Sequence, residues 1–132
     1  MHHRNRKPRG ITLVEIMIVV AIIALLAAIG LPSIIRARKR AQGTSVKNDL
    51  RLIDSSVDQY ALENNLGTGI VGLSSLRRYF KPGTRLYENG TDVLGNSYNP
   101  SFTIGSLPSV PSLSYAALSD YCDDSFWFPY PH

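Results

Sequence analysis

The sequence predicts an α+β fold: a long N-terminal helix, membrane-spanning in its first half, packed by its second half on a small antiparallel β-sheet domain. Three observations point there. From Ile16 to Ile35 the chain holds 20 residues without a charge, about the length that crosses ~30 Å of hydrocarbon as a helix. Val46, Leu50, Ile53, Val57 and Tyr60 or Ala61 then recur at helical spacing, one apolar face on an otherwise polar segment. Beyond Asn64 the turn residues are dense and the apolar runs short, as in a small β-containing domain. The chain therefore divides into a basic leader (1–10), a hydrophobic half-helix (11–35), an amphipathic half-helix (36–65) and a C-terminal domain (66–132).

The charge belongs to the leader. The whole chain carries 14 Lys and Arg against 10 Asp and Glu, but Arg4, Arg6, Lys7 and Arg9 all precede Gly10, so residues 11–132 balance at 14 − 4 = 10 against 10. A balanced remainder gives no electrostatic footprint for nucleic acid. The histidines are His2, His3 and His132, at the two ends. With no Gly-rich phosphate loop and no metal-ligand spacing, no enzyme is expected. The single cysteine, Cys122, cannot close an intrachain disulfide and is expected as a small, partly buried apolar residue.

The leader meets the apolar run at Arg9–Gly10–Ile11–Thr12–Leu13–Val14–Glu15. A carboxylate near the bilayer centre costs about 2.5–3.5 kcal/mol, so an acid within such a run points to function. Glu15 lies in the first helical turn, where the macrodipole favours an anion; snorkelling to the headgroups is its plainer interpretation. A cleaved signal peptide, with Ala27–Ala28–Ile29–Gly30 mimicking its small-residue site, and a plain anchor compete with any assembly role. Four basic residues on each side, the second set being Arg36, Arg38, Lys39 and Arg40, leave orientation tied by charge. Gly30 and Pro32 interrupt the apolar helix and mark a flexible joint.

Past the membrane run, Lys47, Asp49, Arg51, Asp54, Asp58 and Glu63 form the solvated face of the amphipathic segment, and Asn64–Asn65–Leu66–Gly67 stops it. A helix from Ile11 to about Asn64 would be ~80 Å long, with Gly43–Thr44–Ser45 as a weak point. The Arg36–Arg40 cluster lacks interleaved aromatics for stacking on bases and is expected to anchor at lipid headgroups. Residues 72–80 read as a short helix, with Leu73, Leu76 and Phe80 on one face and Pro82–Gly83 beyond it. Strands are expected at Thr84–Tyr87, Tyr98–Ile104 and Leu113–Leu118, with Asn89–Gly90 as a tight turn and Pro100 at an edge or bulge. Asn89–Gly90–Thr91 is also a sequon, a triplet common by chance. Asp120, Asp123 and Asp124 form an acidic turn, and residues 126–131 an aromatic tail that is either core or a contact surface.

The Gly10–Ile11 junction, with Glu15 inside the apolar run behind it, resembles the processing site of type IV pilins and type II secretion pseudopilins. Asp92–Val93–Leu94–Gly95–Asn96–Ser97–Tyr98 is similar to a turn of major pseudopilins, with Val93 and Ser97 in place of two prolines; Ile11 replaces the usual phenylalanine. The resemblance is specific over residues 1 to about 40, looser to about Tyr98, and does not reach the tail. It implies cleavage by prepilin peptidase between Gly10 and Ile11, N-methylation of Ile11, and pairing of Glu15 with a neighbouring subunit's N-terminal amine. It implies a single-pass inner-membrane protein with its C-terminal domain in the periplasm. Its partners would be copies of itself or other pilin-like subunits, on an assembly platform driven by a cytoplasmic ATPase. Pro32 matches a helix-joint proline of many pilins. Calcium, bound in a C-terminal loop of major pseudopilins, makes Asp120, Asp123 and Asp124 weak ligand candidates. Without a disulfide, a secretion pseudopilus is the first expectation. A type IV pilus or DNA-uptake subunit comes next, then a membrane-tethered binding module.

Overall fold

The computed structural model describes residues 10–132; the basic leader expected before Gly10 lies outside the described residues. Helix α1 runs from Leu13 to Glu63. The chain resolves into two compact units, one ending at Ile35 and the other comprising Arg36–His132.

In the first unit, every residue of α1 from Leu13 to Ile35 except Gly30 is exposed. An apolar helix with no buried face is the pattern of a membrane span or of a helix awaiting partners, and α1 is long and apolar enough here to cross a membrane. Gly30 and Pro32 lie within α1, so they do not separate two helices. Ser33 Oγ donates to the Gly30 carbonyl at 2.8 Å, an i−3 side-chain bond of the kind that competes with the helix ladder.

In the second unit, the apolar stripe of α1 is the floor of the core. Val46, Leu50 and Ile53 are fully buried, and Val57 and Ala61 nearly so. Asn65 takes a left-handed conformation (φ 51°) just past Glu63, which ends the helix where the Asn pair predicts. The chain then forms β1 (Ile70–Gly72), α2 (Leu73–Leu76), a single 3-10 turn (Arg77–Tyr79), α3 (Arg85–Asn89), β2 (Ser101–Thr103), α4 (Ser112–Leu118) and α5 (Asp124–Trp127). Strands β1 and β2 pair antiparallel, Ile70 with Thr103, Val71 with Phe102 and Gly72 with Ser101. The α+β architecture is therefore as predicted, with a sheet of two strands. Strand β2 lies inside the predicted 98–104 run, and Phe102 is buried between exposed neighbours. Pro100 sits just before it, its carbonyl accepting from Leu73 N at 2.9 Å.

Two predicted strands are helices. Thr84–Tyr87 became α3 because both of its ends are capped. Thr84 Oγ1 accepts from Tyr87 N, and Gly90, at φ 66°, turns its N–H back to Arg85 and Leu86 carbonyls. Asn89–Gly90 is thus a helix terminus and not a hairpin turn. A Cβ at Gly90 would also sit 2.8 Å from Leu73 Cδ2. Leu113–Leu118 became α4. Its buried positions are Ser114 and Leu118, flanked at the same four-residue interval by buried Val110 and Cys122, a helical period where a strand needs alternation. The tail folds back as core. Trp127 is fully buried and Tyr130 nearly so, while Phe128 remains exposed. Phe126 meets Trp127 edge-on with ring centroids 5.1 Å apart, and Val110 N donates to the Pro131 carbonyl at 2.8 Å.

Gly43, expected as a weak point, is a close-packing position. A Cβ there would lie 2.8 Å from Cys122 Sγ and 3.0 Å from the Phe126 ring. Lys47 Nζ donates to the Phe126 carbonyl at 2.7 Å, one turn further on. Gly43→Ala gains about 1 kcal/mol of helix propensity but overpacks a site where such insertions cost about 1–3 kcal/mol. The expected net effect is a destabilisation of about 1 kcal/mol. The check is the urea midpoint of the full chain in detergent, read by fluorescence of Trp127, its only tryptophan.

Candidate functional site

Thr12 and Glu15 open α1 with reciprocal bonds. Glu15 N donates to Thr12 Oγ1 at 3.2 Å, and Thr12 N donates to Glu15 Oε2 at 3.3 Å. The Thr12 carbonyl already accepts from Ile16 N at 3.3 Å. This is a capping box: two backbone N–H groups that have no helical partner are satisfied by two side chains. In a membrane that matters more than in water, since an unpaired amide in hydrocarbon costs several kcal/mol. Glu15 is therefore tied to the first turn, four residues from Ile11, which is exposed beside Gly10. The acid stands out in the sequence as a charge inside an apolar run, whereas the signal for Thr12 is the Thr-x-x-Glu spacing before that run.

The turn at Asp92–Tyr98 is organised around a buried carboxylate. Asp92 is fully buried. Its Oδ1 accepts from Leu94 N and Asn96 N, each at 2.9 Å, and its Oδ2 accepts from the Ser114 hydroxyl. Asn96 Nδ2 reaches the same hydroxyl at 2.8 Å. The turn closes through Asp92 N to the Asn96 carbonyl at 2.9 Å and Tyr98 N to the Gly90 carbonyl at 3.0 Å, with Gly95 at φ 84°. The charge is offset by fixed donors, as burial requires. Tyr98 then ties the turn to α1, its hydroxyl donating to Asp49 Oδ2 at 3.0 Å. Burial pushes the Asp49 carboxyl above its usual range, the Tyr98 bond opposes this, and nearby Asp92 adds to it. Burial pushes the Tyr98 phenol up as well, helped by the Asp49 charge.

The remaining candidates disperse. Asp124 accepts from the Tyr115 hydroxyl at 2.6 Å and lies 3.4 Å from His132 Nε2. Asp123 accepts from Ser125 Oγ at 2.7 Å, and Asp120 lines a hollow with Arg36 and Arg40. Among the described residues, no three His, Cys, Asp or Glu side chains are grouped to hold a metal. Cys122 is buried, and burial pushes its thiol up, away from the reactive thiolate.

A capped apolar helix, exposed from Leu13 to Ile35 except at Gly30, that goes on to supply the core floor of a small domain fits a membrane-anchored subunit. The comparisons specify the class. The prokaryotic N-terminal methylation motif matches residues 5–31. The type II secretion system core protein G of Vibrio cholerae is 30% identical over 104 residues, covering 72% of this chain and 71% of that protein. The type IV wide pilus major component PilA4 of Thermus thermophilus is 29% identical over 123 residues, covering 93% and 81%. Core protein G of Pseudomonas aeruginosa is 38% identical over 61 residues, covering 46% of this chain and 43% of its own length. No solved structure matches significantly. The chain belongs to the type IV pilin and type II secretion pseudopilin family, and it is a filament-forming structural subunit of that family.

Two outcomes are expected for the outer unit. Asp92→Ala removes the acceptor of two half-buried backbone N–H groups, Leu94 and Asn96, and of the buried Ser114 O–H, each worth about 1–3 kcal/mol. Loss of about 3 kcal/mol or more is expected, read from the urea midpoint. Asp49 has a raised folded pKa, so its contribution is most favourable below the ordinary carboxylate range, near 3.8, and is lost as pH rises through the folded value. Asp49→Asn keeps an acceptor for Tyr98 without the charge. It should raise the melting temperature at pH 7, and the advantage should shrink as pH falls towards 4. An advantage that does not depend on pH would show that burial of the charge is not the cause.

Proposed function

We propose that this chain is a precursor cut between Gly10 and Ile11 by prepilin peptidase and N-methylated on Ile11. It then polymerises by packing residues 11–35 into the core of a filament. The observation that carries the proposal is the Thr12–Glu15 box at the head of an apolar helix that the chain itself leaves uncovered. Cleavage frees an ammonium at Ile11, within one turn of Glu15. In a filament, a neighbour's ammonium can replace the Thr12 N–H as the partner of the Glu15 carboxylate. A charge pair buried in apolar surroundings costs much to break, so it selects axial register. Gly30 and Pro32 serve as the joint at which α1 can bend or locally open, because Pro32 leaves the Ala28 carbonyl without its i+4 donor.

The mature subunit is held in the inner membrane with residues 36–132 in the periplasm. It is drawn into the filament by an assembly platform whose cytoplasmic ATPase supplies the energy. The chain is a substrate of the peptidase and performs no catalytic step. A type II secretion pseudopilus is the first assignment, on the Asp92–Tyr98 turn and the likeness to core protein G. A type IV pilus is the second, supported by the longer alignment to the Thermus pilus component.

Intact mass of the membrane-extracted protein, expressed with its peptidase, is expected to lack residues 1–10 and to carry one added methyl. Glu15→Gln then separates capping from charge. Glutamine can still accept from Thr12 N, so helix content and membrane insertion should persist while filament yield falls by about tenfold or more, as expected for loss of a desolvated charge pair. Normal filaments from Glu15→Gln would reduce Glu15 to a cap.

A further inference from the structure

The second unit begins with a hollow of about 640 Å³ lined by Arg36, Ala37, Arg40, Asp120 and Tyr121. Arg36 and Arg40 are four residues apart on α1, so their side chains share a face, with the small Ala37 between them. Arg40 is held in place, its Nε donating to the Tyr121 carbonyl at 3.2 Å. Arg36, Arg40 and Asp120 are all exposed, and among the described residues none of the three is in an ion pair. The wall thus offers two guanidiniums and one carboxylate open to solvent, beside the half-buried Tyr121.

From this we infer that the hollow is a binding site for a zwitterionic phospholipid headgroup, phosphoethanolamine, with the phosphate on Arg36 and Arg40 and the ammonium on Asp120. Guanidinium forks suit phosphate oxygens bidentately. A primary ammonium donates hydrogen bonds to a carboxylate, which a quaternary choline cannot do, and it can also lie against the Tyr121 ring. A glycerol headgroup supplies the anion but brings no ammonium for Asp120. The source is the bilayer, because Arg36 comes directly after Ile35, the last residue of the apolar run, where side chains meet headgroups. The inference rests on membrane anchoring of residues 11–35. It adds that the subunit prefers one lipid, and that leaving the bilayer for a filament means giving that lipid up.

The test begins with fractionation of cells making the full chain. It continues with native mass spectrometry of the detergent-extracted protein in equimolar phosphatidylethanolamine, phosphatidylglycerol and phosphatidylcholine. Phosphatidylethanolamine adducts should dominate. Asp120→Asn, at an exposed position, should cut the preference over phosphatidylglycerol by about tenfold, the effect of one charged hydrogen bond. Arg36→Gln should lower all phospholipid adducts, and unchanged Trp127 fluorescence would show both variants folded. Preferred retention of phosphatidylglycerol, or a preference indifferent to Asp120→Asn, overturns the site while leaving the anchor intact. Displacement by equimolar water-soluble glycerophosphoethanolamine overturns the lipid as the source. Absence of the chain from the membrane fraction overturns the anchor itself, and the site with it.

Discussion

An apolar helix surface has to be covered, and α1 carries two such surfaces of different shape. Before Arg36 it is apolar on every side apart from Glu15 and Ser33, and no other described residue of its own unit covers it. After Arg36 it is apolar along one stripe, and that stripe is buried by the C-terminal domain. The first surface is left for lipid or other helices to cover, the two environments between which the proposed filament subunit moves. The second is satisfied internally and gives the outer unit most of its core.

That dependence explains how so small a domain holds together. The elements after α1 are three to seven residues long, too short to be stable alone. There is no disulfide among the described residues, and Cys122 is spent in packing against Gly43. Side chains do the joining. Asp92 gathers a turn and α4, Tyr98 ties that turn to Asp49, Lys47 holds the Phe126 carbonyl, and Arg40 holds that of Tyr121. Three of these four links end on α1, so the helix serves as the core floor and as the frame to which the loops are fastened.

Glu15 shows how one carboxylate can belong to two states. In the single chain it completes a cap and needs no partner subunit. In the assembly proposed above, a neighbour's ammonium would be a stronger donor to the same oxygen atoms. Under that proposal the cap satisfies the carboxylate before assembly and releases it to the stronger donor afterwards.

Helix α1 and its two characters are written in the residue pattern, because both are periodic. Twenty uncharged residues and a 3–4 spaced stripe specify a helix however the C-terminal domain is arranged. The Asn64–Asn65 stop and the Asp92–Tyr98 turn were legible for the same local reason, and the Thr12–Glu15 box was written there too, though only its acid was read. The conformations of Thr84–Tyr87 and Leu113–Leu118 were set by their surroundings in the folded domain. Apolar runs of four to six residues fit a strand or a helix equally well, and the choice fell to caps at Thr84 and Gly90 and to burial of every fourth residue from Val110 to Cys122. Tertiary packing also decided the fate of the tail, where Trp127 enters the core and Phe128 does not. Arg36 and Asp120, 84 positions apart in the chain, line one hollow for the same reason. Long-range packing brings together residues between which local sequence carries no signal.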